Sequence, residues 1–338
     1  MKPADSIPNT DRINYLNIGL ILISCAVAFF VPFELFLFSY AVLGPAHYLT
    51  EISWLHERNY FSKGKYNYVF LVVAGFLLFL VLYFDKLFPH VHLFNRDANL
   101  QTGMTTGLVY IAFVSALAMV VLKKPFHRLI AFIVIVASAS LAKQGVLLFS
   151  VFLPTLIHVY LFTGLFMLYG ALKSRSKSGY LSVAIFVLCP LLFVFITPSG
   201  MPVSDYALHS YSLFETVNRK FLEVFQPDLF VKDFTSLADY RQYLHKVIYE
   251  SNAGLMVMRF IAFAYTYHYL NWFSKTSVIK WHNVPKRRLV VIGVLWAAAV
   301  AFYFWKYEYG FHVLFLLSFL HVFLEFPLNH VTIIGIFK

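Results

Sequence analysis

His47 and Glu51 stand four residues apart in SYAVLGPAHYLTEISWLHER, Ser39 to Arg58, inside a run long enough to cross a membrane. On a helix that spacing puts both side chains on one face, about 40° apart. The same spacing returns near the other end of the chain, as His321 and Glu325 in SFLHVFLEFPLNH. Two lone histidines, His158 in PTLIHVYLF and His268 in YTYHYLNWF, lie in further apolar runs. An ionisable group in hydrocarbon is costly, so it faces the interior of a bundle and marks function by default. Imidazole nitrogen with carboxylate oxygen and no thiolate is the donor set that divalent iron, manganese or zinc accepts. His47, Glu51, His158, His268, His321 and Glu325 are therefore the expected metal ligands, meeting at one buried site. Glu51 and Glu325 have a second reading: each could accept a histidine's other N–H and fix its tautomer. Tyr265, Asn271 and Trp272 share the His268 face and are expected to supply hydrogen bonds or shape a substrate pocket. Any one of these histidines alone is equally well explained as a hydrogen bond between helices; the set of six is not.

These side chains need membrane helices to carry them. The chain has 338 residues, 60% hydrophobic and 13% charged. A soluble domain of that length could not hide so much apolar surface. The apolar runs are continuous rather than alternating, which excludes a transmembrane barrel. The expected fold is an all-α polytopic membrane protein, a single transmembrane domain over 1–338, with about ten spans. Their expected limits are 14–33, 35–56, 67–84, 104–122, 126–142, 146–172, 180–197, 254–274, 288–305 and 311–336. The polar start, MKPADSIPNTDR, shows no cleavage site, so no removable signal peptide is expected. The long hydrophilic segment 197–253 reads as an extracytoplasmic loop or cap of short amphipathic helices.

The net charge of +11 does not imply nucleic acid, because Lys and Arg fall in alternate short loops. Arg58, Lys63 and Lys65 follow the second span; Lys123, Lys124 and Arg128 the fourth; Lys173, Arg175 and Lys177 the sixth; Lys275, Lys280 and Lys286 the eighth. Basic loops stay in the cytoplasm. Both termini are then cytoplasmic, in a multi-pass protein of the bacterial inner membrane. All four central histidines lie in even-numbered, co-directed spans. His56, His282 and His330 sit near cytoplasmic ends and are assigned no role. Arg259, near the outer end of the eighth span, reads as a snorkelling anchor, with an anion or head-group contact as the alternative. Cys25 and Cys189 form no metal motif.

At GPAHYLTE and LHVFLE the chain resembles the bacterial β-carotene-cleaving membrane dioxygenases, the Brp/Blh family. That family has an early intramembrane Gly-x-Pro-His-Gly-x-x-Asp-like motif and later helical histidines. Gly44, His47 and Glu51 match the early pattern, and His268 and His321 are counterparts of the later histidines. Pro45 stands one place early, Tyr48 replaces a glycine and Glu51 an aspartate. The resemblance implies non-haem ferrous iron and an apolar, isoprenoid-like substrate. Together these readings predict a metal-dependent membrane oxidoreductase that uses O₂ on a lipid-like substrate, with a separate electron donor as a further partner. The alternatives are a haem-binding electron-transfer protein with histidines as axial ligands, and a proton-coupled or metal transporter.

Overall fold

The computed structural model describes residues 10–58, 67–87, 98–196 and 203–338. Among them the chain is all-helical, without a strand. Lys63 and Lys65, and residues 197–202 of the hydrophilic segment, lie outside the described residues.

Among the described residues seven helices are long and apolar enough to cross a membrane: Thr10–Phe30, Asn99–Val121, Pro125–Ala142, Leu147–Ser174, Lys177–Phe195, Lys286–Trp305 and Tyr307–Ile336. An eighth span is available if Leu237–Glu250 and Asn252–Ser274, bent by 61°, count as one. In Pro125–Ala142 and Lys286–Trp305 only 11% of the apolar window is buried. Their bare faces carry Phe126, Leu129, Ile133, Val290 and Val294. Apolar surface on that scale fits contact with lipid, where helices satisfy their own backbone groups. The expected span 67–84 is a shorter apolar helix, Tyr68–Phe84. The expected span 35–56 is helical in pieces, and its polar side chains keep it outside the apolar set. These are α2 (Pro32–Phe38), a π turn (Ser39–Leu43) and α3 (Gly44–Arg58). Proline at position 45 has no N–H to give the helix. Just before it the register widens, and the Gly44 amide bonds to the Ser39 carbonyl five residues back. His47 follows on α3, one turn before Glu51.

The chain forms two compact units. The first comprises Met1–His47, Val159–Lys280 and Tyr303–Glu308. Its centre is α12 (Asn252–Ser274), buried over most of its circumference, as an all-round apolar helix must be. Against α12 pack α1 (Thr10–Phe30), α2 and α8 (Lys177–Phe195). Polar ties fix the register within this apolar contact. Tyr267 and Ser274 both donate to Asn17 Oδ1, at 3.0 and 2.9 Å, and the Ser39 and Thr266 hydroxyls pair at 2.8 Å. Of the hydrophilic segment, α9 (Asp205–Tyr211) packs on α2 and α10 (Glu215–Phe225) on α12. The expected amphipathy is visible in α10, which buries Asn218 and Leu222.

The bend before α12 is built from two residues. Ser251 has extended backbone, and its hydroxyl accepts from the Gly254 amide at 3.0 Å, an N-cap. Gly254 sits against the carbonyls of Val247 and Ile248. Ser251→Ala should cost about 1 kcal/mol, the usual loss for an N-cap hydroxyl, read as a lower thermal midpoint with the fold retained.

The second unit comprises Tyr48–His158, Trp281–Phe302 and Tyr309–Lys338. Here α4 (Asn67–Leu87) packs on α5 (Ala98–Val121), and α5 on α6 (Pro125–Ser138). Arg128 closes the end of α5, donating to the carbonyls of Leu122 at 2.7 Å and Met119 at 3.2 Å. A cation there also suits the helix dipole. His158 lies on the π-helical stretch Leu147–Phe162, which contains Pro154. His321 and Glu325 lie on α15 (Tyr307–Ile336).

Candidate metal centre

All four histidines and both glutamates are buried, each 7% exposed or less. In the first unit α3 and α12 bring His47 and His268 together. Their Nε2 atoms are 3.1 Å apart, with the rings edge to face at 78°. The other nitrogen of His268, Nδ1, lies 2.8 Å from Thr163 Oγ1. Tyr269 and Trp272 flank the His47 ring, at centroid distances of 5.3 and 5.5 Å.

In the second unit the arrangement repeats with different residues. His158 and His321 approach Nε2 to Nε2 at 3.1 Å, edge to face at 73°. His158 Nδ1 is 3.1 Å from Glu325 Oε2, a close approach without the geometry of a hydrogen bond. Tyr48 stacks on His321 at 4.1 Å, with the ring planes 23° apart.

Each pair aims two Nε2 atoms at the same small volume. Metal–imidazole bonds run about 2.0–2.1 Å, so two ligands on one ion lie roughly 2.8–3.4 Å apart for angles between 90° and tetrahedral. A separation of 3.1 Å falls in that range. A bridging proton between two neutral rings gives nearly the same distance, so the spacing suits either occupant. The donor set fits non-haem iron, manganese or zinc. Thr163 and Glu325 sit where partners that orient metal-bound histidines sit, on the ring nitrogen away from the metal.

The expected residues divide. His47, His158, His268, His321 and Glu325 fall into these pairs, and Glu51 is buried one turn from His47. The spacing of Glu325 suggests that it serves His321 on its own helix, yet its carboxylate approaches His158 instead. Among the described residues Tyr265 and Asn271 bond to no histidine. Tyr265 packs against Phe36 and Tyr40 at 5.0 and 6.2 Å. Asn271 accepts a long hydrogen bond, 3.5 Å, from the Tyr267 hydroxyl. Both share a helix face with His268, but that face is wide enough to meet several neighbours. His330 meets the Phe113 carbonyl at 2.9 Å, a tie between α15 and α5.

Sequence reasoning missed Thr163 and Tyr269; it placed Trp272 only on the face of His268 and named Tyr48 only as a departure from the Brp/Blh pattern. Thr163 follows His158 by five residues in one apolar run, and Tyr48 adjoins His47. Neither residue type marks itself as a histidine partner without the fold.

Compared with protein-family models, curated proteins and solved structures, the chain matches none.

Proposed function

We propose that this chain is a multi-pass membrane oxidoreductase whose buried imidazoles hold non-haem ferrous iron and which uses O₂ on a lipid-like, isoprenoid-type substrate. His47, His158, His268 and His321 are the proposed nitrogen ligands, with Glu51 and Glu325 as ligands or orienting groups. The observation that carries the reading is the repeated Nε2–Nε2 approach at 3.1 Å between fully buried histidines. Burying four unprotonated-capable rings in facing pairs is costly and serves no packing need that apolar residues would not meet better. The likeness of GPAHYLTE to the Brp/Blh dioxygenases supports the choice of iron and an apolar substrate. About ten spans, counting 35–56 and 67–84, cytoplasmic termini and a bacterial inner membrane complete the proposal.

When bound, such a metal supplies Lewis acidity and redox chemistry. The chain's own residues hold it ready. Thr163 sets the ring of His268, the Glu325 carboxylate lies at the outer nitrogen of His158, and Tyr48 fixes the plane of His321. Tyr269 and Trp272 wall off His47 from water. In that low-dielectric surrounding the polar contacts act more strongly than they would in water.

Glu325→Gln keeps the volume and exchanges the carboxyl for an amide. It should lower metal affinity about 10–100-fold, the usual effect of losing an orienting carboxylate, in a chelator-competition titration. Unchanged affinity would show that Glu325 neither binds nor orients. The optical spectrum of purified protein separates the readings: non-haem iron gives no Soret band, whereas a strong one would mean haem. Metal flux into proteoliposomes at rates abolished by His47→Ala would instead mean transport.

A further inference from the structure

We propose that Arg259 and the cavity beside it bind the acidic head of a single-chain amphiphile, an oxyanion carried on an apolar tail. Arg259 lies on α12, in the first unit, and is 3% exposed. A snorkelling anchor would spread its guanidinium in water; this one does not. Its Nε donates to the Phe29 carbonyl at 3.2 Å, and its Cζ sits 5.5 Å from the Phe29 ring centroid. A guanidinium has five N–H donors. Among the described residues no carboxylate lies within ion-pair distance of it. A buried charge left in that state is expensive, unless an anion completes it.

The space for one is there. A cavity of about 280 Å³ opens beside Arg259, lined by Phe29, Val31, Phe33, Leu255 and Glu34. A water molecule claims about 30 Å³ of liquid, so this volume holds a head group and several methylenes. Glu34 does not occupy the guanidinium: its Oε1 accepts from the Ser204 amide at 3.3 Å and the Ser204 hydroxyl at 2.8 Å. A cation in the wall of a largely apolar cavity selects an anion with a greasy tail over a free anion or a neutral lipid. The guanidinium suits a carboxylate or phosphate head, in two parallel hydrogen bonds. This site is separate from the histidines. Arg259 precedes His268 by nine residues, roughly 13 Å along the helix and about half a turn away in direction.

The test is binding of oleate to the full-length protein in a neutral detergent, followed by native mass spectrometry, with oleyl alcohol and inorganic phosphate as comparison ligands. One saturable oleate per chain is expected. Arg259→Gln should weaken it at least tenfold, with Arg259→Lys intermediate. Leu255→Trp should block it by filling the cavity with Arg259 intact, so a folding failure of one variant leaves the other decisive. Oleyl alcohol bound as tightly as oleate would overturn the role of charge. Inorganic phosphate bound as tightly as oleate would overturn the role of the tail. Oleate binding unchanged in Arg259→Gln and Leu255→Trp, or absent from the wild type, would overturn the proposal outright.

Discussion

His268→Ala should strip bound metal from the purified protein, lowering affinity by more than about 100-fold, beyond the range of an orienting partner. The substitution removes a proposed nitrogen ligand and leaves Thr163 without its contact to the ring. It also takes away the ring that faces His47 at 3.1 Å. The alternative, a hydrogen-bonded histidine pair that merely ties α3 to α12, predicts a different result. Breaking one buried hydrogen bond costs about 1–3 kcal/mol of stability and leaves metal content unaffected. Metal titration and a thermal midpoint measured together separate the two. Tyr265→Phe is the control on the same helix: it lies among Phe36 and Tyr40 and should leave metal affinity at the wild-type value. Wild-type affinity in His268→Ala would remove His268 from the ligand set.

Gly254→Ala should be the most damaging small substitution in the first unit. An added Cβ would lie 2.1 Å from the Val247 carbonyl oxygen, 2.3 Å from that of Ile248 and 2.7 Å from the Ile248 carbonyl carbon. These are backbone atoms, so they yield only if the 61° bend between Glu250 and Asn252 opens. Overpacking a tight site costs about 1–3 kcal/mol and occasionally more, and a clash with fixed carbonyls belongs at or above the top of that range. For a unit of this size that corresponds to a fall of roughly 6–12 °C in thermal midpoint. Since α12 carries both Arg259 and His268, metal binding should weaken alongside stability. A midpoint within a degree of wild type would mean that the bend does not need glycine.

The helical class and the important residue types were legible because their signals are local. Apolar runs of span length mark helices, and a histidine four residues from a glutamate marks one face. Partnership was not legible, because it depends on which helix lies opposite. Glu325 is spaced to serve His321 but approaches His158. Tyr265 and Asn271 share a face with His268, yet Tyr265 turns into an aromatic cluster and Asn271 toward Tyr267. Thr163 and Tyr48 look like ordinary membrane residues until the fold sets them against His268 and His321. The π turn at Ser39–Leu43 shifts the helical phase just ahead of His47. A straight-helix reading of 35–56 therefore misaligns everything before Gly44 relative to the histidine. Arg259 reads as an interfacial anchor, or else an anion contact, from its place near a span's end; its burial and the adjoining cavity favour the second reading.

Iron K-edge X-ray absorption on protein purified from iron-replete cells probes the proposed imidazole-held metal most directly. The expected result is a first shell of nitrogen and oxygen near 2.1 Å, with the outer scattering of several imidazole rings and no sulfur. An iron-free preparation that also takes up no manganese or zinc would contradict it, as would a sulfur-dominated shell.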